Sequence, residues 1–578
     1  VPASRRALAP LLPAAALLAL AALAGAQDRP ASPDPLRDLQ DHYIETKAEP
    51  ARRAYHFGSQ GVGREFSNHT SHSNRMVPVY VWGRKADLGA VTGANSRYRT
   101  EAGVKSLFGV VPEHTVNPKA EYADQSDLYR VQKDAAAKGA KYIFTVWFDG
   151  MDWETTQAAA IAKGGKVYTS GKGTGLFFLD FDADGSAQYG SVVTSPTHTD
   201  PPDNIVDVDN QTIGDLSGLL RGGYDPRFAG EAAGAPGPLL ARGPGYLKGQ
   251  SANAEDRAGV AAAGGVLHAY TDSSCSAGEY ASGVKSFNNG VNVAPDGRFV
   301  ETIYQQLQRQ GWKVGTVTSV PFSHASPAGM YAHDVSRDDY QDLSREMLGL
   351  PAITQRTGKV PALPGLDVVM GAGWGIKASA SQLKAQGANA VPGNAALTDA
   401  DRKAIDVANG GKYVVAERTP GTPGASGLLA AAKAAAAGRH RLFGLYGVAA
   451  GHLPYRTADG RYDPAKGIKG VAEKYSRADI EENPTLADMT RAALTVMAAE
   501  PGKPFALFVE AGDVDFGLHD NNLDNAIGAV LSGDEAIRVI VEWIERNSNW
   551  DESVVIITAD HGHYLVIDDP KALAGTAK

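Results

Sequence analysis

The sequence predicts an α/β protein built on a central, mostly parallel sheet with helices on both faces. Three observations lead there. Short apolar runs at 77–82, 141–148, 314–318, 366–370, 442–446, 505–509 and 554–558 have the length and composition of buried strands. Stretches with helical spacing alternate with them, which is the order of crossover units in a parallel sheet. The last two runs each lead into a cluster of carboxylates and imidazoles, and open α/β folds place their sites at the carboxyl edge of such a sheet.

Taken in order, residues 1–26 have the layout of a secretory signal peptide. Arg5 and Arg6 precede the apolar stretch 7–23, and Ala24-Gly25-Ala26 offers a small-residue cleavage site. Ser4-Arg5-Arg6 faintly resembles a twin-arginine signal, so Sec and twin-arginine export both remain open. Residues 27–578 then read as a single domain, periplasmic or secreted. No later stretch is long and apolar enough for a stable membrane anchor. A helical stretch at 36–43 comes first, then the strand 77–82 within a segment, 60–115, that matters below. The strand 141–148 enters Asp149-Gly150-Met151-Asp152, and a helical pattern starts at Thr155. Residues 190–258, rich in Gly, Pro, Asp and Asn, read as a surface insertion. A strand at 267–270 is expected to lead through Thr271-Asp272-Ser273 into a helix reaching about Lys285. Helices follow at 299–309, 486–497 and 525–546.

Composition excludes several classes. A formal net charge of −9 over 578 residues, with no run of like charges, gives neither a nucleic-acid footprint nor a polybasic membrane patch. The one cysteine, Cys275, rules out an internal disulfide and reads as a small buried packing residue. Stability must then come from core size and from bound metal.

The chemistry-bearing residues are oxygen and nitrogen donors without thiolates, a set suited to zinc and magnesium side by side. Ser273 follows an acid at the start of a helix, where the helix field favours an anion. No histidine stands near it in sequence, so a metal is the better activator of its hydroxyl. Singly, each residue has a plainer reading. Ser273 and Ser326 fit helix caps, Arg337 a surface arginine, and Asp515 with His519 a solvated helix pair.

Together the motifs resemble the alkaline phosphatases. The segment 272–293 is similar to that family's nucleophile segment. His324-Ala325-Ser326-Pro327-Ala328 with Arg337, the run 510–519, the run 558–563, and Phe148-Asp149-Gly150-Met151 also match, in order. The resemblance implies a phosphomonoester hydrolase with two zinc ions and one magnesium. Ser273 would be the phosphorylated nucleophile and would ligate one zinc with Asp149, Asp560 and His561. Asp149 would bridge to a magnesium completed by Ser326 and Glu510. Arg337 would fork onto phosphate oxygens with Asp272 steadying it, and Asp515 and His519 would belong to the second zinc. His563 and His324 read as partners that orient ligands. Small phosphomonoesters are the implied substrates, and a homodimer, usual in that family, is the assembly to test.

Two departures stand out. The family's second zinc takes a further histidine from downstream of the Asp-His pair, yet no histidine follows His563 here. The segment 71–83, with His72 five residues before Val77-Pro78-Val79, resembles that downstream piece. This implies a circular permutation, with 60–115 as the family's carboxyl-terminal segment and His72 as the missing ligand; His69 competes for the role. The second departure is Phe516, where the family usually carries lysine or histidine near the phosphate. Two rivals follow: a phosphodiesterase or sulfatase of the same superfamily, and a non-catalytic metal- and phosphate-binding protein.

Overall fold

The computed structural model describes residues 34–45, 54–58, 68–229 and 266–576. The expected signal peptide lies outside the described residues, as does 230–258 of the expected insertion.

Ten strands form one sheet: β1 (Val77–Trp82), β2 (Ala123–Asp124), β3 (Tyr142–Phe148), β4 (Gln188–Val193), β5 (Lys313–Pro321), β6 (Val368–Ala372), β7 (Tyr413–Glu417), β8 (Arg441–Leu445), β9 (Phe505–Ala511) and β10 (Ser553–Thr558). Their spatial order is β7-β8-β6-β5-β9-β3-β10-β1-β4-β2. Every pairing is parallel except the two made by β1, which runs antiparallel to both β10 and β4. The central strands β9, β3 and β10 are buried at every position. That is why they read as unbroken apolar runs rather than alternating ones.

Helices cover both faces, and two adjacent residues of β3 show how. Trp147 and Phe148 point to opposite faces, as successive strand residues must. The Trp147 ring lies 5.2 Å from that of Tyr280 in the helix Ser273–Ser282. Phe148 lies under the helix Leu523–Asn547, where Gly533 lets the two approach; a Cβ there would come 2.2 Å from the Phe148 ring.

Register decides where the site forms. Along β3, Trp147 pairs with Glu510 of β9 on one side and with Thr558 of β10 on the other. Glu510, Asp149 and Asp560 therefore leave three neighbouring strands at one level of the carboxyl edge.

Two expectations need correction. Residues 267–270 form no strand: the Ala269 N–H donates to the Arg221 carbonyl at 2.8 Å, but among the described residues no strand pairs with this stretch in a ladder. Ser273 thus follows an irregular connection rather than a strand. The stretch taken as a surface insertion begins inside the sheet, because Gln188–Val193 is β4 and pairs with β1 from Val77 to Val81. Tyr413–Glu417 and the alanine-rich helix Gly424–Gly438 add a strand and a helix where the sequence carries little periodic signal.

Candidate metal centre

We number the helices that carry the site α1 (Ser273–Ser282), α2 (Ala325–Gly329) and α3 (Asp513–His519). Asp272 caps α1, its Oδ1 accepting from the Cys275 N–H at 3.0 Å, and Gly283 ends the helix in the left-handed conformation at φ 74°. Ser273 is therefore the first residue of a ten-residue helix, buried at its positive end.

Around Ser273 stands the first ligand group, Asp149, Asp560 and His561, all buried. The Ser273 Oγ lies 3.3 Å from His561 Nε2, which is 3.4 Å from Asp149 Oδ1 and 3.3 Å from Asp560 Oδ2. Both oxygens of Asp149, Asp560 Oδ2 and His561 Nδ1 are buried without a hydrogen bond. A serine–histidine base pair would need a group orienting that Nδ1, so the arrangement suits a cation better than general-base catalysis. Burial pushes the Asp149 carboxyl well up, and the nearby carboxylates of Asp560, Asp515 and Glu510 push it further. Acids packed this way ionise together only around a positive charge.

Glu510 adjoins the same group. Its Oε2 accepts from Thr318 Oγ1 at 2.5 Å, while its Oε1 is buried without a partner. Burial and the Asp560 carboxylate raise its pKa to about 8, against the hydrogen bond from Thr318, and Ser326 of α2 has its Oγ buried without a hydrogen bond. Glu510 thus lies within electrostatic reach of Asp149 and close to Ser326. Asp513, in the same acidic run, turns away to Ser319 Oγ at 2.6 Å.

Arg337 closes the other side. Its Nη1 donates to Asp272 Oδ2 at 3.0 Å, and its Nη2 lies 3.2 Å from His324 Nε2. Burial would lower the guanidinium pKa, but Asp272, Tyr340 and Asp338 together raise it above its ordinary value. His324 is driven the other way, to about 3, by burial and by the Arg337 charge. It is a neutral neighbour of Arg337, packed edge-on against Phe516 at 5.7 Å.

The second ligand group is His72, Asp515, His519 and His563. His72 Nε2 lies 3.2 Å from His519 Nε2 and 3.8 Å from Asp515 Oδ1. The partners of the other ring nitrogens are informative. His72 Nδ1 donates to the Thr271 carbonyl at 2.9 Å, and His519 Nδ1 to the Thr70 carbonyl at 2.5 Å. Neutral rings bonded this way aim two bare lone pairs at each other, an arrangement that only a cation or a shared proton relieves. His69 is turned elsewhere, with its Nε2 on the His72 carbonyl at 3.1 Å. His563 Nε2 lies 2.7 Å from Asp515 Oδ1. The sequence assigned His563 an orienting role; the geometry also brings it among the candidate ligands, a possibility the spacing His561-Gly562-His563 alone did not signal.

What brings His72 here is the antiparallel edge. β1 pairs with β10, Ile557 opposite Tyr80, and a short ladder sets His72 opposite His563 and Ser73 opposite Gly562. The segment 68–83 thus lies beside the strand ending at Thr558, with two strands, β10 and β3, between it and the one bearing Glu510. The stacked rings of His72 and His561, centroids 3.7 Å apart, join the two groups into one centre.

A mostly parallel α/β sheet carrying two carboxylate–imidazole groups at its carboxyl edge defines a candidate metal-dependent hydrolase. The chain belongs to the alkaline phosphatase family, whose model matches residues 258–574. Asp149 and His72 lie before the matched stretch. The chain is 25% identical over 291 residues to alkaline phosphatase 4 of Bacillus subtilis (strain 168), covering 50% of this chain and 49% of that protein. It is 28% identical over 331 residues to the alkaline phosphatase of Escherichia coli (strain K12), covering 52% and 60%. It is also 28% identical over 308 residues to streptomycin-6-phosphate phosphatase of Streptomyces griseus, covering 51% and 61%. The chain therefore spans between about half and three fifths of the length of these relatives. Among solved structures, the alkaline phosphatase of Thermus thermophilus aligns with 74% of this chain and 60% of its own, at 19% identity and a TM-score of 0.40.

Proposed function

We propose that this chain is an exported, metal-dependent phosphomonoesterase that passes the phosphoryl group through Ser273. The observation that carries the reading is the placement of Ser273 at the start of α1, between the first ligand group and Arg337. Asp149, Asp560, His561 and Ser273 would hold one zinc, and Asp515, His519 and His72 a second. Asp149, Glu510 and Ser326 would hold magnesium. The partnerless buried oxygens and the opposed imidazole nitrogens fit that assignment. Bound there, the metals would supply positive charge for the phosphoryl oxygens and lower the pKa of a nearby hydroxyl or water.

The remaining work falls to the chain itself. Ser273 Oγ attacks the phosphorus, losing its proton, and the alcohol leaves on the opposite side, in line. The Arg337 guanidinium, kept in plane by Asp272, binds two oxygens of the transferring group. First-turn N–H groups of α1 add partial positive charge. Water then cleaves the phosphoserine and restores the serine. A dianionic monoester fits this charge better than a diester, and one relative is named for a phosphorylated small molecule.

Segment 68–83 takes the place of the family's downstream piece; the position of β1 beside β10 and of His72 in the second group supports that reading. Among the described residues no helix is long and apolar enough to cross a membrane. Export rests on residues 1–26.

Rapid quenching with a phosphate-labelled monoester tests the reading. Label should appear on Ser273, and Ser273→Ala should abolish turnover while keeping its metals. Turnover near that of the unaltered protein in Ser273→Ala would remove the serine from the mechanism, and loss of metals without any activity in the unaltered chain would leave a phosphate binder.

A further inference from the structure

A cavity of about 410 Å³ opens beside the second ligand group, and nothing in the reaction as described uses it. His519 lines it and is the one member of that group that is not fully buried, its side chain 35% exposed. The cavity therefore meets the centre at the second group, whereas Ser273 contacts the first group through His561. In an in-line displacement the alcohol departs opposite the attacking oxygen, so its path runs past the second group and into this cavity.

The walls have a definite chemistry. Phe516, Tyr455 and His452 form an aromatic lining: the His452 ring lies 4.2 Å from that of Tyr455 and 5.9 Å, edge-on, from that of Phe516. Both nitrogens of His452 are already engaged, Nδ1 with the Leu453 carbonyl at 2.6 Å and Nε2 with Glu473 at 3.0 Å, so it offers the cavity its ring. Glu473 is further held by the Tyr475 hydroxyl at 2.6 Å. At the rim Val471 is 74% exposed, a large apolar side chain left in solvent beside an aromatic wall. Lys469 is the lining's only lysine or arginine, and His452, both of whose nitrogens donate, is a second cation; the carboxylates of Glu473 and Asp520 stand against these two, so no surplus positive charge awaits a second anionic group.

We propose that this cavity is a leaving-group subsite that selects phosphomonoesters of flat, uncharged aromatic alcohols, with Phe516 as its specificity-determining wall. The proposal rests on the phosphomonoesterase reading. Phe516 then has a positive role: where a lysine or histidine would address the phosphate, the phenyl ring addresses the other half of the substrate.

The test compares benzyl with methyl compounds, whose alcohols are of similar acidity, so that leaving-group chemistry does not bias the result. Calorimetry on the metal-loaded full chain measures binding of benzylphosphonate and methylphosphonate, and steady-state kinetics measures hydrolysis of the two phosphates. Benzylphosphonate should bind about tenfold tighter or more, the scale of burying a few methylene equivalents. Phe516→Ala and Val471→Glu should each reduce that ratio. Equal affinities in the unaltered chain, or a ratio that neither substitution moves, overturns the subsite while hydrolysis of both phosphates upholds the enzyme. Ring-selective binding without hydrolysis of either phosphate overturns the enzyme reading and upholds the subsite. Binding of neither phosphonate overturns both.

Discussion

The two ligand groups touch one another, with His561 Nε2 4.0 Å from Asp515 Oδ1, yet they are built in opposite ways. Asp149 and the Asp560-His561 pair leave adjacent parallel strands, β3 and β10, that are locked in register over six residues. The second group gathers Asp515 and His519 from α3, His563 from a two-residue ladder, and His72 from a segment 447 residues away from His519 in sequence. The first is as rigid as the middle of the sheet. The second exists only while segment 68–83 stays docked against β10. Difference in construction should appear as difference in vulnerability, and the variants below test that in order of expected effect.

Asp149→Ala should be the most damaging. It removes the carboxylate of the first ligand group that interacts with Glu510, leaving Asp560 and Glu510 packed together. Turnover should fall by roughly 10³-fold or more, comparable to losing a preorganised charge at a transition state. Elemental analysis should show metal lost from more than one position. A variant that keeps its full metal complement would mean that Asp149 bridges nothing.

His72→Ala should be more selective. Zinc content should drop by about one ion per chain and activity should fall severely, while the first group keeps its metal because none of its three residues comes from segment 68–83. Full zinc occupancy in both this variant and His69→Ala would detach the amino-terminal segment from the centre and remove permutation as the source of the ligand.

Arg75 connects the two modes of construction. It is buried, with Nη1 3.3 Å from Asp152 Oδ2, 3.4 Å from Glu154 Oε2 and 3.4 Å from the His563 carbonyl; the same nitrogen also donates to the Leu565 carbonyl. Its guanidinium lies 4.9 Å from the Tyr564 ring centroid. One side chain thus ties segment 68–83 to the loop carrying His561 and His563. Arg75→Ala leaves the buried carboxylate of Asp152 and the partly buried one of Glu154 without their cation and should cost about 3–5 kcal/mol of stability. Metal titration of the surviving folded fraction should show weaker binding at the second group than at the first. Equal weakening at both would mean that Arg75 supports the whole centre and not the docked segment.

How much of this was legible follows the same division. Runs such as 505–511 and 553–558 announce themselves because strands buried on both faces admit only apolar side chains, and the acids that end them cannot be core residues. The first group was therefore readable from local pattern together with the family resemblance. Register was not: that Glu510 and Thr558 both stand level with Trp147 depends on strand order, which no window of sequence contains. His72 could be named only by likeness to a segment expected elsewhere, since its pairing with His563 is a long-range backbone contact. Residues 267–270 failed for a related reason. Their apolar pattern is that of a strand, but a strand is defined by its neighbours, and among the described residues no strand pairs with this stretch. The cavity wall of Phe516, Tyr455 and His452 was illegible because its members meet across turns and helix ends.

The smallest effect is expected three residues before the short ladder, at His69. Sequence alone could not choose between His69 and His72 as the ligand, since both lie in one polar stretch before β1. The geometry separates them by what each ring does. His72 sends Nε2 toward His519 and Asp515, whereas His69 spends its Nε2 on the His72 carbonyl at 3.1 Å and sets its ring edge-on to Tyr564 at 6.2 Å. His69 therefore shapes the backbone from which His72 projects. His69→Ala should cost about 1 kcal/mol of stability, the net worth of one such hydrogen bond, and reduce activity only a few-fold through a looser His72. Zinc content should stay at that of the unaltered protein, and His69→Gln, which can still donate to the same carbonyl, should restore most of the loss. Should His69→Ala lose an ion while His72→Ala keeps both, the roles are exchanged: the docked segment would still complete the second group, but from a backbone shifted by three residues.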